Sequence, residues 1–161
     1  MTISVGDKLP GGSLMQMGAN GPETVDLAAK LHGRKVIIFG LPGAFTGQCS
    51  TAHVPSFMRT ADKLAAKGVD EIICISVNDP FVMKAWSDST GAGAKGITML
   101  GDADAAFSTA IGMAFTLPTL GLLNRSKRYA LYAEDGVVKL FHPEPATGCE
   151  ISTGEAMLDA L

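Results

Sequence analysis

Pro42, Thr46 and Cys49 stand at a spacing that can make a reactive sulfur. The stretch Pro42-Gly-Ala-Phe-Thr46-Gly-Gln-Cys49 follows a continuous apolar run, Lys35-Val-Ile-Ile-Phe-Gly40, and precedes a helical pattern reaching about Lys67. The run reads as a buried strand and the Pro/Gly segment as the loop that leaves it. A cysteine in the first turn of a helix lies beside unpaired N–H groups and the positive end of the helix dipole, and both favour thiolate over thiol. Thr46 is an N-cap candidate whose hydroxyl can reach either a backbone N–H or a ligand on Cys49. Pro42 fixes the loop and removes an N–H that would otherwise hold water. The bland alternative is that Thr46 only caps and Cys49 only fills space as a small apolar residue.

His53 lies one helical turn beyond Cys49 on the same face, which invites a cysteine-hydrolase dyad. Such a dyad needs a base within hydrogen-bond reach and a third group to orient it, and no third group is identifiable. The expectation for His53 is therefore a structural or pKa-tuning role. Cys74 falls inside a second apolar run, Glu71–Val77, sharing a face with Ile72 and Ser76, and reads as a core residue. Cys149 falls in His142-Pro-Glu-Pro-Ala-Thr-Gly-Cys-Glu150, a loop expected to be mobile and exposed. The sequence has no Cys-x-x-Cys, and His32, His53 and His142 are not spaced with the cysteines as zinc ligands would be, so neither a metal nor a cofactor is expected.

The elements that must position these residues can be read from the same pattern. The chain has 161 residues, the size of one domain over 1–161, with 47% hydrophobic and 18% charged residues. A hairpin-like opening surrounds a strand near Ser13–Met17. Strands follow at Lys35–Gly40, Glu71–Val77 and Ile97–Leu100, alternating with helices near Cys49–Lys67, Pro80–Ser87 and Ala103–Ile111. Glu134-Asp-Gly136 joins the strands Tyr129–Ala133 and Val137–Phe141, and a last helix, Thr153–Leu161, is capped by Ser152 or Thr153. Alternation followed by a hairpin implies an α/β three-layer sandwich with a mixed central sheet.

At the Pro42–Cys49 loop the sequence resembles a known family. Pro42-x-x-x-Thr46-x-x-Cys49 is similar to the signature of the peroxiredoxins, and Pro-Gly-Ala-Phe-Thr to their type II, or peroxiredoxin-5-like, branch. The similarity continues through His53-Val-Pro55, Asp70–Trp86, Asn124-Arg-Ser-Lys-Arg-Tyr-Ala130 and Asp135-Gly-Val-Val-Lys139, nearly the whole chain. Gly47-Gln48 stands where a common family form has Pro-Gly, and the run ending at Arg128 differs from the usual Gly-x-Arg-Ser-x-Arg. The resemblance implies a thioredoxin-like fold with an N-terminal hairpin extension and reduction of hydrogen peroxide and organic hydroperoxides. It makes Cys49 the peroxidatic nucleophile, Thr46 a hydrogen-bonding partner of the peroxide, Pro42 a shield and Arg128 the arginine that completes the site. Thr46, backbone N–H groups and Arg128 are expected to act as donors, with Arg125 a solvated surface charge. Cys149 and Cys74 are the candidate resolving cysteines, by likeness to animal-like and plant-like members respectively.

Partners are implied by the same reading. The resemblance points to a peroxide substrate, thioredoxin or glutaredoxin with glutathione as reductant, and a homodimer built near the active site. Phe45, Phe81 and Trp86 are candidates for its interface or for the core. The net charge of −3 gives no footing for nucleic acid or anionic membranes, and Met1–Lys8 has neither a basic nor an apolar targeting region, so a cytoplasmic location is expected. The rivals are a non-enzymatic redox sensor or holdase using the same thiolate, and a thioredoxin-fold disulfide reductase, which the missing Cys-x-x-Cys disfavours.

Overall fold

Val36 to Gly40 and Ile72 to Ser76 are buried without a break, because each strand lies in the interior of a sheet that is covered on both faces. The computed structural model describes residues 2–146 and 148–161, with the side chain of Cys49 outside the described residues. One sheet holds seven strands: β1 (Ser13–Gly18), β2 (Gly21–Asp26), β3 (Lys35–Gly40), β4 (Glu71–Ser76), β5 (Ile97–Gly101), β8 (Tyr129–Glu134) and β9 (Val137–Pro143). Their order across the sheet is β2-β1-β5-β4-β3-β8-β9. The central strands β3, β4 and β5 are parallel, while β1–β2 and β8–β9 are antiparallel hairpins on the two flanks. The Asp135-Gly136 turn of the second hairpin has both residues at positive φ, 50° and 77°, as a tight twisted hairpin requires.

Side chains along each strand alternate between two cores. Val36, Ile38, Ile73 and Ile75 join Leu27, Leu31 and Phe107 on one face, beneath α1 (Leu27–Leu31) and α4 (Ala106–Ala110). Ile37, Phe39, Ile72 and Cys74 join Val54, Phe57, Trp86 and Met157 on the other, beneath α2 (Val54–Ala66), α3 (Pro80–Thr90) and α5 (Gly154–Ala160). The expected three-layer architecture and mixed sheet are present. Glu71, at the start of β4, ties α1 to the sheet by accepting from Lys30 Nζ at 2.9 Å, Arg34 at 2.8 Å and Thr98 Oγ1 at 2.6 Å.

Four elements leave little mark in the sequence. The five-residue α1 is too short to show a period, and β2 buries little besides Val25. The separate ribbon of β6 (Ala114–Leu117) and β7 (Leu122–Ser126) carries Leu117 and Leu123 outward, so it lacks the alternation that marks a core strand. The helix expected over Ala103–Ile111 is shorter. Buried Asp102 accepts from Phe107 N and Ser108 N, and Ala105 takes φ 62°, so the helix starts at Ala106. Trp86 is fully buried and belongs to the core rather than to a surface patch, whereas Phe45 and Phe81 are 56% and 62% exposed.

Register between β3 and β8 places Arg128 beside the Pro42–Cys49 loop. Gly40 pairs with Tyr129, so Arg128 stands just beyond the pairing, where β3 gives way to the Leu41–Gln48 segment. A Cβ on Gly40 would collide with the Tyr129 ring, which explains glycine at that strand end. On the other side of β3, Asn78 lies just past β4. Its Oδ1 accepts from Ser76 Oγ at 2.6 Å and from Ala44 N at 3.0 Å, fixing the loop to the sheet.

Candidate active site

Thr46 opens the helical segment with its backbone: the Thr46 carbonyl accepts from Ser50 N at 3.1 Å. The Oγ1 hydrogen goes to the Gly43 carbonyl at 2.7 Å, so toward a ligand Thr46 offers lone pairs. The expectation that the hydroxyl acts as a donor is corrected on this point. Phe45, just before it, holds a left-handed φ of 64°, a conformation an aromatic residue adopts only where the surrounding loop enforces it.

Gly47 and Gln48 open the helical segment, and Cys49, still within its first turn, begins a π-helical stretch, Cys49–His53. The physical reason is Pro55, which lacks the N–H that an α-helix would aim at the Thr51 carbonyl and whose ring crowds that carbonyl. The chain widens by one residue, and regular α2 begins at Val54 with proline in its first turn. The wide turn is pinned from outside by Trp86 Nε1, which donates to Ser50 Oγ at 2.9 Å, and from within by Thr51 Oγ1, which donates to the Gly47 carbonyl at 2.9 Å.

The last residue of this turn, His53, is buried and both its nitrogens are engaged. Nε2 lies 2.9 Å from the Ser152 carbonyl, which can only accept, and Nδ1 lies 3.0 Å from an Arg128 nitrogen, which can only donate. The two partners therefore fix the tautomer: Nε2 carries the hydrogen and Nδ1 the lone pair. Burial first, and the Arg128 charge second, push the His53 pKa from its ordinary 6.5 down to about 3, against the opposing bond to Ser152. With no free lone pair and no charge, His53 cannot serve as the base of a cysteine-hydrolase dyad. It orients Arg128 without cancelling the guanidinium charge.

Arg125 departs from its expectation as a solvated charge. It is half-buried and donates to the Pro42 carbonyl at 3.3 Å, and a Cβ at Gly43 would press on its guanidinium at 2.6 Å. Two arginines from one segment thus meet the site, Arg125 at Pro42 in the loop and Arg128 at His53 in the π-turn. Pro42 itself is half-buried.

Cys74 is fully buried in β4 between β3 and β5, as the strand period predicts. Cys149 differs from the expected exposed position and is half-buried. Its loop is tied down because the Glu144 carboxylate accepts from Glu150 N at 2.9 Å and from Ser152 N and Oγ, both at 2.7 Å. His142 Nδ1 adds a bond to the Ile151 carbonyl at 2.9 Å. Thr153 rather than Ser152 caps α5, accepting from Ala156 N at 3.1 Å. Asn78, Glu144 and Ser152 support the site without being marked in the sequence; no local pattern signals them, because their partners lie in other elements or across a loop.

Neutral, buried His53 has a measurable consequence. Between about pH 4.5 and 6.5 the unfolded chain takes up a proton at His53 that the folded chain refuses, so stability rises with pH and levels off above 6.5. Below that window Glu71 and Glu144 add their own loss. Burial raises their pKa values, but hydrogen bonds outweigh it and hold them below the ordinary 4.5. Denaturant midpoints measured across pH 4.5–7.5 are expected to show the rise in the wild type. The slope should flatten in His53→Gln, which keeps a donor and an acceptor but does not titrate.

A family model described as Redoxin matches residues 4–158. The chain is 46% identical over 164 residues to the chloroplastic peroxiredoxin-2E-2 of Oryza sativa subsp. japonica, covering 99% of this chain and 73% of that one. It superposes on reduced Prx3 from Vibrio vulnificus in complex with hydrogen peroxide with a TM-score of 0.91, at 41% identity and 99% coverage of both chains. It also superposes on a Burkholderia cenocepacia protein provisionally described as a thioredoxin reductase, with a TM-score of 0.96 at 39% identity, covering 100% and 99% of the two chains. The fold, the loop after β3 and these likenesses agree: the chain belongs to the peroxiredoxins, in their type II branch.

Proposed function

We propose that Cys49 is the peroxidatic nucleophile of this thiol-dependent peroxidase, with Arg128, Thr46 and Pro42 completing its site. The observation that carries the assignment is the Arg128–His53 contact. A permanent cation is held by the last residue of the same π-turn that Cys49 begins. That cation favours the thiolate, as do the unpaired N–H groups at the start of the helical segment.

In the reaction the thiolate sulfur attacks one peroxide oxygen and the O–O bond breaks. The leaving hydroxide or alkoxide takes a proton, and Cys49 becomes a sulfenic acid. The sulfur loses two electrons and the peroxide gains them. Thr46 Oγ1, its hydrogen committed to Gly43, accepts from the peroxide O–H and aligns it. Arg128 and backbone N–H groups face the negative charge that spreads along S–O–O, where preset donors act most strongly. Pro42 shields the sulfur, and Arg125 holds the Pro42 carbonyl. A thiol then condenses with the sulfenic acid, releasing water, and a second thiol reduces the resulting disulfide.

For the condensing thiol, Cys149 is favoured within the chain. Cys74 would have to leave the centre of a packed sheet to reach disulfide distance, whereas Cys149 sits in a loop that must release the Glu144 bonds. Loop length decides little, about 1.3 kcal/mol between the two. Thioredoxin, or glutaredoxin with glutathione, closes the cycle. A homodimer is supported by exposed apolar side chains on the loop (Phe45), on α3 (Phe81) and around the β6–β7 ribbon (Leu117, Leu120, Leu123). A disulfide reductase would need vicinal cysteines, and Cys49, Cys74 and Cys149 are far apart in sequence.

Peroxide consumption with a panel of thiol donors tests the assignment. Cys49→Ser is expected to abolish it, Arg128→Ala to lower it by about 10²–10³-fold, the range for loss of one preset donor, and Thr46→Val, which removes the acceptor that aligns the peroxide, to lower it severely, both without unfolding. A Cys49→Ser protein that retains most of its turnover ends the reading. Peptide mapping after peroxide treatment without reductant is expected to find Cys49 joined to Cys149, in a protein that sediments as a dimer. A Cys49–Cys74 peptide would reverse the ranking, and overoxidised Cys49 with both other thiols reduced would point to an external thiol.

A further inference from the structure

Glu144 touches no part of the peroxide chemistry, yet its bonds converge on the residue that does. Three donors meet one carboxylate oxygen, Oε2: Glu150 N, Ser152 N and Ser152 Oγ, at 2.9, 2.7 and 2.7 Å. This brings the chain around Cys149 back on itself and aims the Ser152 carbonyl at His53 Nε2, 2.9 Å away. The opposite nitrogen of the same ring receives Arg128 at 3.0 Å. The backbone of Glu144 completes the circuit, its N–H donating to the Arg128 carbonyl at 2.9 Å. Arg128 is thus held at its main chain by Glu144 directly, and at its guanidinium through Ser152 and His53.

We propose that Glu144 is a positioning residue for peroxide reduction: its carboxylate sets the Ser152 carbonyl, which orients His53, which in turn aims the Arg128 guanidinium. The role rests on Arg128 acting at Cys49. A neutral imidazole has one ring direction in which it serves both partners, so a shifted Ser152 carbonyl turns the ring and moves the acceptor on which Arg128 is hung. A carboxylate suits the task because one oxygen takes three donors while remaining an acceptor only. Two of those donors are the backbone N–H groups that would otherwise compete for other acceptors in a turn. An anchor that only stiffened the loop would be needed for stability; this one is needed for the rate of one chemical step.

The test is the second-order rate constant for oxidation of the reduced, full-length protein by hydrogen peroxide, measured in a single turnover so that the thiol donor plays no part. Glu144→Ala is expected to slow it about ten- to a hundredfold, the scale on which misplacing a reacting group is felt. Glu144→Gln keeps one acceptor oxygen and should recover most of the loss. In an Arg128→Ala background, Glu144→Ala should add less than about a twofold change, since the two act through one group. Should Glu144→Ala fail to fold, Glu144→Gln and Ser152→Ala take its place. Each is then expected to slow oxidation a few-fold in the wild type and not in Arg128→Ala. A folded Glu144→Ala protein that reacts at the wild-type rate, or whose loss is undiminished in the Arg128→Ala background, overturns the positioning role. If Arg128→Ala itself reacts at the wild-type rate, the reading of Arg128 fails and this role falls with it.

Discussion

A buried, uncharged histidine holding a guanidinium is the constraint on which this site depends. Arg128 needs a partner to stay in one orientation, but an anionic partner would offset much of its positive field. His53 supplies an acceptor with no charge, and burial together with Arg128 itself keeps it uncharged down to a pKa of about 3. The pair is self-consistent: the cation suppresses protonation of the ring, and the unprotonated ring offers the cation its lone pair. The Ser152 carbonyl removes the remaining freedom by fixing which nitrogen carries the hydrogen.

The fold delivers these groups from three separate places. β3 ends at Gly40 opposite Tyr129, which brings Arg128 alongside the loop. Pro55 forbids an unbroken α-helix, and the π-turn it imposes ends at His53. Asn78, at the end of β4, and Arg125, from β7, fix the Ala44 amide and the Pro42 carbonyl. With the loop held on both sides and its turn pinned by Trp86, Cys49 is presented by a backbone that is set before any peroxide arrives. Pre-set geometry of this kind is what makes dipoles and charges effective in a transition state.

How much of this is legible in the sequence depends on a physical divide. Strands β3 and β4 are legible because burial on both faces leaves an uninterrupted apolar run, and the β8–β9 hairpin because Asp135-Gly136 has the conformational freedom its turn needs. Pro42, Thr46 and Cys49 stand out through one local spacing, and Arg128 through likeness to a family. What escapes is relational. The hydrogen of Thr46 goes to Gly43 only because the loop folds back; Arg125 reaches Pro42 across the β7–loop contact; Glu144 gathers donors six and eight residues ahead. None of these has a period or a spacing to betray it. The π-turn is an intermediate case, since Pro55 is visible but a helix that starts at the cysteine is the simpler expectation.

The acidity of Cys49 tests this account most directly. Iodoacetamide alkylation rates for Cys49, followed by mass spectrometry from pH 3.5 to 10 in the wild type and in Arg128→Ala, report the fraction of thiolate at each pH. The wild-type pKa is expected well below the free thiol's ~8.5, in the range of roughly 3.5–7.5 found beside cations and helix starts, with a clear rise when Arg128 is removed. A wild-type Cys49 that titrates like a free thiol, or one whose pKa is the same with and without Arg128, would contradict the account.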